Sequence, residues 1–181
     1  MGRRLAGGLV VLFFISCMTG YYAKGSVAPS FDLTRSYRIA LIPLKSSPYL
    51  KEKDLNKLYE TFSMELLGTG LFTLIERRDI EKVLDEQGFQ YSGVVNESQA
   101  VEFGKILGAE LIGIYNIETA GRDIQAMGTL YVIGLYFKLV NVETGEIVYY
   151  ARGRGESMLN KEAALEQAVS NCLHALRKAK K

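Results

Sequence analysis

LFTLIERRDIEKVLDEQGFQYSGVVNESQAVEFGKILGAELIGIYNI, residues 71–117, is the stretch that decides the fold. Leu71, Phe72, Leu74 and Ile75 make a short apolar run rich in aromatic and branched side chains, the pattern of a buried strand. The chain then turns charged at Glu76, Arg77, Arg78 and Asp79. Ile80, Val83, Leu84 and Gln87 recur at helical spacing, so a helix follows the strand. Gly88 stands where a left-handed residue would end that helix. Ser98 or Asn96 is placed to cap a second helix with the face Ala100, Val101, Phe103, Gly104 and Leu107, closed by Gly108. Glu110 to Ile117 is nearly all apolar, as a central strand covered on both faces would be. The unit is strand, helix, helix, strand, and none of its buried positions carries a catalytic group.

Upstream, Tyr37 to Leu44 (YRIALIPL) reads as a first strand, ended by Pro43 and the turn Ser46-Ser47-Pro48. Leu55, Leu58, Phe62 and Leu66 follow at helical spacing, and Gly68-Thr69-Gly70 stops the helix. A Gly-Thr-Gly turn could cradle a phosphate, but the lysine and hydroxyl residue of a P-loop do not follow it. Downstream, Thr119 to Ala126 is polar and contains Gly121, which predicts a loop. Met127 to Val142 and Glu146 to Gly153 predict two strands joined through Glu143-Thr144-Gly145, with glycine where a positive φ is needed. The alternation Tyr131, Ile133, Leu135, Phe137 leaves room for a sheet surface that is not fully covered, and the sequence leaves open whether this row faces the core or a partner. Asn160 is placed to cap a last helix running to about Lys178. The expected architecture is a single three-layer-like α/β domain over residues 37–178, a mixed sheet flanked by helices with a C-terminal hairpin and a terminal helix; 181 residues suit one domain.

Met1-Gly2-Arg3-Arg4 is a basic leader and Leu5 to Ile15 is apolar. A run of about 11 residues is too short to span a bilayer, which takes about 20, so residues 1–16 read as a signal peptide. The run closes Phe14-Ile15-Ser16-Cys17, which resembles the bacterial lipobox with Phe14 in place of the usual leucine. That resemblance implies acylation of Cys17. More than one acyl chain anchors stably, because each buried CH₂ contributes about 0.8 kcal/mol. In the sorting that the lipoprotein resemblance implies, Met18 after the cysteine is no inner-membrane retention signal, which favours the outer membrane. Residues 17–36 then read as a lipidated cysteine and flexible tether, in which Met18 to Ser36 would reach about 25 Å on average and about 65 Å if pulled straight. Tyr21 and Tyr22 beside the lipid suit the membrane interface.

The composition narrows the chemistry. Lys plus Arg is 22 against Asp plus Glu 20; without Arg3 and Arg4 the chain is neutral, lacking the basic footprint of a nucleic-acid binder. The isolated repeat Arg152-Gly153-Arg154-Gly155 does not outweigh that balance. Arg177, Lys178, Lys180 and Lys181 suit the negative end of a terminal helix. The single histidine, His174, and Cys172, the one cysteine besides Cys17, support neither a zinc site nor a nucleophile–base couple. Cys172 falls in line with Leu165, Ala168, Val169 and Leu176 and reads as a buried, inert thiol. No Gly-x-Ser-x-Gly elbow is present. Glu76, Asp79, Glu81, Asp85 and Glu86 interleave with Arg77, Arg78 and Lys82 as on a solvated helix face. Asn96-Glu97-Ser98 matches a glycosylation sequon by pattern alone. The reading is therefore not an enzyme, with no catalytic residue, metal, cofactor or small-molecule substrate.

Two motifs carry a family resemblance. One is the order strand, Glu76-Arg77-x-Asp79, helix to Glu86-Gln87, Ser92-Gly93, then Gly104-Lys105-x-Leu107-Gly108-Ala109 and a strand. The other is the hairpin Val140-Asn141-Val142-Glu143-Thr144-Gly145-Glu146-Ile147. Together they resemble the CsgG/HfaB family of bacterial envelope lipoproteins over roughly residues 36–176; the lipoproteins LpoB and FlgO are similar in pattern. In CsgG itself, strands inserted before and after this hairpin build a membrane barrel. Thr119 to Ala126 and Arg154 to Leu159 are too short to supply them, since a spanning strand takes about 9–11 residues. The resemblance thus implies a lipid-anchored protein on the periplasmic face of the outer membrane, acting as a non-catalytic scaffold or assembly factor through protein contacts. Its implied partners are envelope proteins or copies of itself in a ring, with the membrane held through the lipid and no nucleic acid bound. The alternative it implies is an activator of a peptidoglycan synthase, as LpoB is for a penicillin-binding protein.

Overall fold

The computed structural model describes residues 23–86, 97–126 and 128–180. The elements in chain order are β1 (Ala23–Val27), β2 (Tyr37–Leu41), α1 (Glu52–Gly68), β3 (Phe72–Leu74), α2 (Arg77–Glu86), α3 (Glu97–Leu107), β4 (Leu111–Gln125), β5 (Gly128–Asn141), β6 (Ile147–Ser157), α4 (Lys161–Cys172) and α5 (His174–Ala179). One mixed sheet orders the strands β1-β6-β5-β4-β2-β3. β2 runs parallel to both β3 and β4, as strands joined through helices do, and β4, β5, β6 and β1 follow antiparallel.

Two cores lie on opposite faces of this sheet. On the first face, α1 lays down Leu55, Leu58, Phe62 and Leu66, and α4 adds Ala164, Leu165, Ala168 and Val169. These pack on Leu111, Tyr115, Phe137 and Tyr149, with Phe62 stacked 4.8 Å from Tyr115 and 5.1 Å from Phe137 between ring centres. On the second face, Ile80 and Leu84 of α2 and Ala100 and Phe103 of α3 cover Ala40, Ile112, Ile114 and Val140. Gly104 allows α3 its approach, since a Cβ there would stand 2.2 Å from Val142 Cγ2. The α/β class, the strand–helix–helix–strand unit and the closing hairpin and helix are as the sequence predicts. Thr69 closes α1, its hydroxyl donating to the Leu66 carbonyl at 2.7 Å, and Gly70 follows with φ 66°. Asn160 caps α4, its side chain accepting from the Ala163 amide at 2.7 Å.

Several expectations are corrected. Residues 23–36 are not a free tether: β1 pairs with β6 from Ala23↔Gly153 to Val27↔Tyr149, and Phe31 is buried 5.0 Å from the Tyr37 ring. The cause is the outer edge of β6, whose backbone groups a short segment can satisfy without any apolar period of its own. Thr119 to Ala126 is not a loop, because β4 continues to Gln125 against β5. A bulge between Ile117 and Thr119 shifts the alternation by one residue there, which hides the strand pattern. β6 likewise extends to Ser157 rather than ending at Gly153. The terminal helix breaks at Leu173 into α4 and α5. Of the two sides that the sequence left open for the Ile133, Leu135 and Phe137 row, the structure gives the core. α3 begins at Glu97, so Ser98 falls inside it. Residues 1–22, including Cys17, and Gln87, Gly88, Ser92, Gly93, Asn96, Met127 and Lys181 lie outside the described residues.

Candidate interaction surface

The helices α2 and α3 cover the second face over β2, β4 and the Val140 end of β5. Strand alternation sends Tyr136 and Lys138 of β5, Tyr150, Arg152 and Arg154 of β6, and Lys24 and Ser26 of β1 to the uncovered remainder. This is the back of the surface the alternation of β5 suggests. A sequence with Tyr136 beside Phe137 and Tyr149 beside Tyr150 offers aromatics to both sides of each strand. Only the helices decide which row is buried.

The bulge residue Glu118 organises the middle of this face. Register puts Tyr136 opposite Arg152 and Asn116, and Glu118, two residues past Asn116, falls on the same face within reach of Tyr136 and Arg152. Arg152 Nε donates to Glu118 Oε2 at 2.6 Å and Arg152 Nη2 to Oε1, a two-pronged contact, while the Tyr136 hydroxyl donates to Oε1 at 3.1 Å. The Arg152 guanidinium also stands 5.4 Å from the Tyr136 ring centre, and the Tyr150 ring 6.0 Å from it. The hydrogen bond to Glu118 raises the Tyr136 pKa above the usual phenol range, so this tyrosine stays neutral. Because the pair is exposed to solvent, it contributes little to folding. Its effect is to hold the Tyr136 ring and a cation in a fixed relation beside Tyr150, which is 46% exposed.

The residues singled out for chemistry are dispersed. Cys172 is fully buried with Sγ 3.6 Å from the Leu135 carbonyl, and burial pushes its thiol up to about 12, so the nucleophilic thiolate is suppressed. His174 is exposed at the start of α5. On α2, Arg77 binds Glu81 at 2.7 Å, Lys82 lies 3.9 Å from Glu86, and Asp85 pairs with Lys45 from outside the helix. Arg177 binds Glu65 and the Ser170 hydroxyl and carbonyl, and Lys180 donates to the Thr69 carbonyl, so these two cations of the basic cluster fasten the C-terminus to α1 and α4. The Arg-Gly repeat also has a packing role: a Cβ on Gly153 would meet the Ala168 carbonyl oxygen at 2.1 Å, and one on Gly155 the Ala164 carbonyl oxygen at 1.8 Å. Those glycines seat α4 on β6, and the intervening arginines simply alternate outward. The Tyr115 hydroxyl is buried without a hydrogen bond of good geometry, near the Leu44 backbone, and burial raises its pKa. A depression of about 470 Å³ at the start of α1 is lined by Glu52, Lys53, Asp54, Asn56, Lys57, Glu60 and Glu162, and is open to solvent. Among the described residues no three His, Cys, Asp or Glu side chains converge as metal ligands, and no helix is long and apolar enough to cross a membrane.

Comparison with known proteins identifies the architecture. The family model described as curli production assembly/transport component CsgG matches residues 45–170. No curated protein matches the chain. Among solved structures, the PelC dodecamer from Paraburkholderia phytofirmans superposes with a TM-score of 0.58 at 14% identity, covering 86% of this chain and 96% of that one. Lipoprotein GNA1162 from Neisseria meningitidis superposes with a TM-score of 0.56 at 14% identity, covering 78% of this chain and 98% of that one. The shared fold therefore extends over nearly the whole of both neighbours.

Proposed function

Since the chain belongs to the family described as curli production assembly/transport component CsgG, we propose that it is a non-catalytic scaffold or assembly factor of the bacterial envelope. In this reading residues 1–16 are a signal peptide, an acylated Cys17 holds the domain on the periplasmic face of the outer membrane, and the domain acts by touching other proteins. The observation that carries the reading is the open sheet face, with Tyr136 and Arg152 bound to Glu118 and the Tyr150 ring beside them. Aromatic residues and arginine are the side chains that dominate protein interfaces, and rings held in place lose little entropy on docking. The neighbour PelC is a dodecamer, which supports a second copy of the chain as one partner of such a face.

Native mass measurement of the purified chain, together with a pull-down from envelope extract, tests this. The expected result is a homo-oligomer or a captured envelope protein that Arg152→Glu and Tyr150→Ala reduce, with folding preserved in both variants. A Cys17→Ser chain should lose its membrane association but keep the oligomer. Capture of a penicillin-binding protein would assign the role of synthase activator instead. A chain that is monomeric, captures nothing sensitive to either substitution, or turns over a small molecule refutes the proposal.

A further inference from the structure

The open face of the sheet shows its cations to solvent and keeps its carboxylates low. Antiparallel register sets Lys24 of β1 directly opposite Arg152 of β6, with Tyr136 of β5 on the far side of Arg152. The neighbouring row on one side carries Ser26, Tyr150 and Lys138, and on the other side Arg154 stands opposite Gly134. Gly134 brings no side chain to this face, and the Glu118 carboxylate lies over the gap: a Cβ on Gly134 would stand 3.3 Å from Glu118 Oε2. The Arg152 side chain is 54% exposed against 27% for Glu118, and Arg154 is 51% exposed against 26% for its partner Glu156. Lys24 is exposed as well.

This arrangement works against the fold. Like charges directly opposite each other in an antiparallel pair repel, and Lys24 and Arg152 are such a pair. Glu118 offsets part of the repulsion from below and uses two of the five guanidinium N–H groups of Arg152. A carboxylate laid over the face from outside would relieve the rest, and a guanidinium accommodates one in a charge-assisted contact. Tyr150, exposed beside these cations, asks in addition for an apolar or aromatic group. From Tyr150 to Arg154 the strand rises about 13 Å, the length of about four extended residues. Acidic and apolar groups alternating over that length are what a peptide supplies, whereas a uniformly charged polymer or a lipid headgroup has no counterpart for the tyrosine.

We propose that this face docks an acidic protein segment, with carboxylates over Lys24, Arg152 and Arg154 and an apolar or aromatic side chain against Tyr150. The proposal rests on the reading of the face as a protein-docking surface and names the chemistry that the face selects. Glu118 and Glu156 hold the two arginines in place before the segment arrives, which lowers the entropy lost on docking. Salt screens charges as exposed as these, so the contact weakens as ionic strength rises.

The test selects a displayed library of random peptides on the purified chain and measures the enriched peptides by fluorescence anisotropy. The expected peptides are rich in Asp and Glu with an apolar or aromatic residue among them. Their affinity should fall by about tenfold or more when Lys24→Glu and Arg154→Glu are combined, and should fall for the parent chain as salt is added. Lys24→Glu alone sets opposite charges across the ladder, so this variant should melt no lower than the parent while binding less, which separates lost contact from lost folding. Enriched peptides without acidic residues that lose binding to a Tyr150→Ala chain overturn the acidic chemistry and leave the docking face standing. Peptides indifferent to Lys24→Glu, Tyr150→Ala and Arg152→Glu overturn both. Failure to enrich any peptide overturns the acidic segment. Polygalacturonate or phosphatidylglycerol vesicles that bind more tightly than the selected peptides, with the same loss in the double variant, overturn a protein segment as the occupant.

Discussion

Replacing Gly155 by alanine should dislodge α4. The added methyl would lie 1.8 Å from the Ala164 carbonyl oxygen, 2.6 Å from the Ala168 amide nitrogen and 2.9 Å from the Ala164 carbonyl carbon. All three are backbone atoms of a helix held in the core by Ala164, Leu165, Ala168, Val169 and Cys172, so no side chain can swing aside. To restore ordinary contact, α4 must withdraw by about 1.5 Å, enough to forfeit much of the dispersion energy along its buried stripe. Overpacking costs about 1–3 kcal/mol, and a rigid backbone neighbour places this case at the upper end. The alanine restricts the unfolded chain by about 0.4–1 kcal/mol in compensation, leaving a net loss of about 2 kcal/mol. In a domain of this size that lowers the melting temperature by about 4–8 °C. Arg154→Ala is the control, since its side chain leaves on the other face and holds only the exposed pair with Glu156 at 2.7 Å, a contribution of about 0–1 kcal/mol. Thermal unfolding followed by circular dichroism, with urea midpoints as a check, reads both. A Gly155→Ala chain as stable as the parent would refute the close approach of α4. It would also reopen the Arg-Gly repeat to a role in binding.

Phe62→Ala removes the ring that stacks on Tyr115 and packs against Phe137 and should cost about 3–5 kcal/mol, read from the denaturant midpoint. Asn160→Ala strips the cap from the Ala163 amide and should cost about 0.5–2 kcal/mol, with the loss reported by unfolding of α4. Cys172 should resist maleimide in the folded chain at neutral pH and react once urea unfolds it, as followed by mass. The same burial sets a pH dependence. A thiol raised from 9.0 to about 12 on folding contributes stability that is present below pH 9 and is lost as pH rises toward 12. Tyr115 and Tyr149 are shifted upward by burial too and steepen that loss, so Cys172→Ala should flatten the alkaline unfolding curve without abolishing its slope.

Most elements were legible as patterns, because each buried face repeats with the period of its own backbone. Leu55, Leu58, Phe62 and Leu66 mark the inner stripe of α1, and all four are buried; Gly70 and Gly145 mark turns, and both take positive φ. Where the period breaks, the reading fails. β1 is a strand without an apolar period whose only reason to be extended is the edge of β6, contributed by residues well over a hundred positions later. The outer half of β4 looks like a loop because the bulge at Glu118 moves its alternation by one residue. The surface face was beyond reach for a related reason: Tyr136 and Phe137, or Tyr149 and Tyr150, are interchangeable until a helix covers one side.

Local order thus lay in the chain itself: the element types, the α/β class, the helix stops, the inert place of Cys172 and the hairpin at Gly145. The tertiary structure alone decided which sheet face stays open, why Gly153 and Gly155 alternate with two arginines, and that residues 23–27 join the sheet. The physical reason is one of range. Period, capping and turn chemistry act between residues a few positions apart, whereas burial, strand edges and helix seats are set by whichever distant segment arrives to cover them.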